Sequence, residues 1–69
     1  MDQITLDAVQ AYYRLTQTLK AAIEDPQRSE QALSRAAWEA NRAFDAAGLL
    51  GRPEHEIAAL VRQVYPDFR

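Results

Sequence analysis

His55 is the only histidine in this sequence of 69 residues, and it stands between Glu54 and Glu56. A lone histidine in acidic company suggests a metal ligand or a proton shuttle. The spacing argues against both, because a helical ligand pair needs its second member three or four residues on, and those positions hold Ala58 and Ala59. His55 therefore reads as a solvent-exposed residue in the first turn of a helix. Ser29 and Ser34 have no neighbouring histidine to take a hydroxyl proton. The carboxylates Glu24 and Asp25, and separately Glu30, Glu39 and Asp45, show no clustering that would set a general acid beside a general base. The two glycines, Gly48 and Gly51, flank a Leu-Leu pair and form no phosphate-cradling loop. With no cysteine, neither a thiolate metal site nor a disulfide is available. The expectation is a chain with no catalytic residues, no metal and no cofactor: not an enzyme, but a protein whose activity is its surface.

Three segments must position that surface, and the fold expected is all-α. The middle one, residues 26–47, places Ala32, Leu33, Ala36, Ala37, Ala40, Ala43, Phe44 and Ala47 on one side of a helix at 100° per residue, with Arg28, Arg35, Glu39 and Arg42 opposite. An apolar stripe made almost wholly of alanine lets a neighbour approach closely, so the other segments are expected to pack on it. Asp25-Pro26 marks its start and Gly48 its end, with Leu49 placed to make the contact that accompanies a glycine cap. The first segment, residues 6–24, gathers Ala8, Val9, Tyr12, Leu15, Thr16, Leu19, Ala22 and Ile23 on one side, with Thr5 as its expected N-cap. These two form an antiparallel hairpin. A shorter third helix, residues 53–65, opens at Pro53, buries Ile57, Leu60, Val61 and Val64, and stops at Pro66. Leu49 and Leu50 are expected to tuck under the hairpin end.

Several side chains fall off these stripes and are the candidate partner-binding residues. Trp38 lies about 170° from the centre of the alanine stripe, in a row with Ser34, Asn41 and Asp45. It either packs against the third helix or the tail, or anchors a contact with another molecule, since tryptophan is enriched at binding hot spots. Tyr12 and Tyr13 point about 100° apart. Tyr12 faces the core, while Tyr13, with Leu6 on the same flank, meets the third helix or offers a second interface patch. In the tail, Tyr65 and Phe68 are two aromatic anchors on either side of Pro66-Asp67, able to fold back or to dock into a neighbour's groove.

At this length the chain is a single small domain whose core leaves only a few kcal/mol of margin. Association is the remaining common source of buried area, so a homodimer, a protein partner or both are expected. The formal net charge of −2, with both signs interspersed, gives no footprint for nucleic acid or an anionic membrane. A helix-turn-helix arrangement of the second and third helices is the alternative, but its approach surface would carry Glu54 and Glu56 where phosphates must come. No bilayer-spanning run and no basic-then-apolar leader is present, which makes the cytoplasm the expected compartment.

Overall fold

The computed structural model describes residues 1–68 and is all-helical: α1 spans Gln3–Glu24, α2 Pro26–Ala47 and α3 Glu54–Val64. The first helix begins three residues before the expected start. Its N-cap is Asp2, whose carboxylate accepts the Thr5 N–H at 2.8 Å, so Thr5 is a donor inside the first turn and not the cap. An aspartate two residues before the first apolar position serves the exposed N–H groups as well as a threonine would, and winning one more turn lets α1 carry Ile4.

Asp25 is the whole connection between α1 and α2. Its N–H donates to the Ala21 carbonyl at 2.8 Å, ending α1, and its carboxylate accepts the Arg28 N–H at 3.4 Å, opening α2. Pro26 takes the first helical position, where a missing N–H costs nothing. With one residue between them and contact along their lengths, α1 and α2 run antiparallel. Gly48, at φ +70°, closes α2: its N–H donates to the Asp45 carbonyl at 3.1 Å and the Leu49 N–H to the Phe44 carbonyl at 2.8 Å, the paired bonds of a Schellman ending. Leu49 packs against the core as expected, but Leu50 stays exposed, because the turn through Gly51 at φ +84° carries it outward.

The packing centre is α1 and not the alanine-rich α2. Both other helices lie on α1, whereas α2 and α3 do not meet as helices. Between α1 and α2 the tightest burial is alanine on both sides, Ala8 and Ala11 against a face carrying Ala36 and Ala40. Ala32 and Ala37, at the margins of the α2 stripe, are exposed. On its other side α1 contributes Val9 to a cluster with Ile57 and Val61 of α3, sealed by half-buried Tyr12, Tyr13, Phe44 and Leu60 among others.

The third helix is too short to cover its neighbour. Eleven residues reach about 16 Å, half of the roughly 33 Å of a 22-residue helix. The α1 stripe of Tyr12, Thr16, Leu19 and Ile23 therefore runs past the end of α3, and Leu19 and Ile23, expected on the buried side, are 45% and 80% exposed.

Candidate functional site

Trp38 does not pack against α3 or the tail. Its side chain stands on the outer side of α2, 59% exposed, with the Arg42 guanidinium one turn on and 5.0 Å from the ring centre. That spacing gives a cation–π contact along one helix face. The indole borders a shallow depression of about 340 Å³ between the first turns of α1 and the last turns of α2. Ile4, 53% exposed, and Asp7 form the α1 wall, while Ala43 and Ala46 leave the α2 side low. Ser34, Asn41 and Asp45, in the same row as Trp38, are all exposed.

A second depression of about 400 Å³ continues along the hairpin toward Asp25. Arg14 and Thr18 line it from α1, and Arg28, Ala32 and Arg35 from α2, with Glu39 shared by both hollows. No residue of α3 borders either one, so the two form a trough on the side of the hairpin away from the third helix. Among the described residues the ion pairs are Arg28 with Asp25 at 3.8 Å and Arg52 with Glu56 at 3.4 Å. Arg14, Arg35 and Arg42 belong to neither.

The remaining candidates gather elsewhere. Tyr13 and Tyr65 stack almost parallel, 3.8 Å between centres and 7° between planes. Phe68 meets Tyr12 edge-on at 5.9 Å, and Tyr12 stacks on Phe44 at 5.5 Å. The tail is tied back by the Arg62 Nε–H donating to the Phe68 carbonyl at 3.2 Å and the Phe68 N–H donating to the Tyr65 carbonyl at 2.9 Å. Tyr13, Tyr65 and Phe68 thus come together, each half-buried, and Leu6 is half-buried two turns earlier on α1. Trp38, Asn41 and Asp45 form a separate, open group on α2.

His55 is exposed, and among the described residues no three histidine, aspartate or glutamate side chains are grouped to hold a metal ion. Asp2 has a carboxyl held below its ordinary value of 3.8 by hydrogen bonding from the Thr5 side chain and then from the Thr5 N–H. That is the chemistry of a helix cap. What the trough offers is an aromatic platform, an apolar wall and unpaired guanidinium groups, which suit recognition by shape and charge.

Four contributors carry no role in the sequence analysis: Ile4, which precedes the helix expected from residue 6, and Arg14, Arg28 and Arg35. The signal for the arginines was present: Arg28, Arg35 and Arg42 recur every seven residues, which keeps them in one row on a helix. Comparison of the chain with protein-family models, with curated proteins and with solved structures finds no match.

Proposed function

We propose that this chain is a small, non-catalytic helical interaction module that docks a partner helix on the Trp38 face and that pairs with a second copy of itself. The observation that carries the reading is Trp38: a large aromatic side chain left 59% exposed on an ordered helix, with an arginine laid on its ring and an exposed isoleucine across the hollow. Tryptophan and arginine together are the residue types most enriched where alanine substitution abolishes binding. Helix-to-helix docking fits because the trough is lined by two helices and has alanines among its lining residues.

Pairing is supported by area. The chain exposes 5145 Å², against about 4,400 Å² expected of a compact monomer of its 7.8 kDa. The surplus of roughly 750 Å² is close to the ~800 Å² that each partner contributes to a standard interface. Leu19 and Ile23, with half-buried Leu33 of α2, are the apolar side chains that a second copy would cover.

Light-scattering mass over a concentration series tests the pairing: twice the chain mass is expected, and a mass of one chain at every concentration up to millimolar removes it. Trp38, the only tryptophan, reports on docking by its own fluorescence. Its emission should be that of a hydrated indole in the free protein and shift to the blue when a partner helix seats. Trp38→Ala should leave the melting curve within about 0.5 kcal/mol of the parent while abolishing partner binding. A large loss of stability instead would make Trp38 a structural residue.

A further inference from the structure

We infer that the trough selects an acidic helix, one that presents carboxylates at seven-residue intervals to Arg28, Arg35 and Arg42 and an apolar side chain to Trp38. The inference rests on the Trp38 face being a docking surface and adds the chemistry of what docks there.

The charge is unevenly placed. The whole chain carries a formal −2, yet Arg14, Arg28, Arg35 and Arg42, half of its eight lysines and arginines, line this one side. The acids that border the same trough are Asp7 and Glu39, and Asp25 neutralises part of Arg28 from the corner. The side away from α3 is therefore net positive on an acidic protein, and a partner of opposite sign is steered to it.

Spacing decides the shape of the partner. Guanidinium groups seven residues apart on one helix stand about 10.5 Å apart along its axis, so three of them span about 21 Å. A second helix lying alongside repeats on the same interval, and its acids at i, i+7 and i+14 meet the three arginines in turn. An extended peptide would bring a same-side residue past every ~6.6 Å and would fall out of step. Ala32 and Ala36 between the arginine row and α1 leave room for the partner's backbone to come close. Trp38, one turn before Arg42, and Ile4 across the hollow then accept a bulky side chain between the carboxylates matched to Arg35 and Arg42, which fixes the register.

The test is selection from a displayed library of 18-residue helix-forming peptides with randomised exposed positions, against the full chain at low and at physiological salt. Enriched sequences should be acidic, with Asp or Glu seven residues apart and one aromatic or large aliphatic anchor. Their affinity should fall at least tenfold for Arg35→Glu and for Arg28→Glu, both with unchanged helicity and melting. Arg35→Lys should recover most of it, because charge rather than forked geometry is used. Enrichment of neutral or basic peptides that still need Trp38 overturns the acidic preference and leaves the docking surface standing. Enrichment of nothing that depends on Trp38 removes both. A 20-base-pair DNA duplex or phosphatidylserine vesicles binding through Arg28 and Arg35 more tightly than any selected peptide would also overturn it, in favour of a polyanion or a membrane surface.

Discussion

Val61 is wholly enclosed where α3 meets α1, in contact with the Val9 and Ile57 cluster. Removing two methyl groups there takes away transfer energy and leaves a void, so Val61→Ala should cost about 2 kcal/mol. For a domain whose core supplies only about 3–5 kcal/mol that is a large share, visible as a fall in urea midpoint with the slope unchanged. Gly48 tests backbone conformation in isolation: a Cβ there would touch nothing within 4 Å, but φ of +70° is strained for any side chain. Gly48→Ala should therefore lose about 1 kcal/mol by the same melt, with no change at the core. Asp2 adds a dependence on pH. Its carboxyl is depressed in the folded state, so the cap contributes above the unfolded value near 3.8 and is lost as pH falls through the lower folded value. Measured against the intrinsic rate at each pH, the protection of the Thr5 N–H from exchange should fall across that acid range while that of Val61 does not, and Asp2→Ala should remove the Thr5 protection at every pH.

Among the elements, the returning tail is the least conventional. A stretch after Pro66 would ordinarily fray, yet Tyr65 and Phe68 close over Tyr13 and Tyr12, and the stack of Tyr13 on Tyr65 is the tightest aromatic contact in the chain. Stacked pairs contribute about 0.5–1.5 kcal/mol beyond area burial, so a double-mutant cycle of Tyr13→Leu with Tyr65→Leu should return a coupling in that range. A coupling near zero would mean that the rings merely share a surface. The helices themselves were legible: the Asp25-Pro26 corner, the Gly48 ending and the Pro66 stop are local signals, and each acts where its residue stands. Less of the packing could be read. Periodicity marks which side of α1 is apolar but not how far along it another helix reaches, so it put Leu19 and Ile23 inside, where an α3 of eleven residues leaves them out. In α2 the stripe is legible from alanines, whereas Trp38 has no periodic partner, and its exposure depends on α3 lying on α1 alone.

At the scale of the molecule, the chain is a half-finished bundle: three helices surround Val9 and Tyr12, and two helices continue alone to the corner at Asp25. That division predicts where charge will do most harm to self-association. Leu19→Glu with Ile23→Glu should cost the monomer little stability, since the two side chains are 45% and 80% exposed, and should convert the proposed dimer to single chains by light scattering. The same pair of changes should not affect peptides selected on the Trp38 side. If the dimer survives both glutamates, the open end of the hairpin is not where copies meet.

The corner itself sets one more property of the polypeptide. A single residue with φ −143° and ψ 78° is all that separates two runs of 22 helical residues, and Pro26 is what forbids the first run from continuing into the second. Replace Asp25 and Pro26 with alanine, and a continuous rod of about 45 residues, roughly 67 Å long, becomes accessible. Such a rod cannot fold onto itself. Its halves would have to be clasped by another rod, each lending the other the arm it lost, so this proline keeps every molecule from exchanging parts with its neighbours.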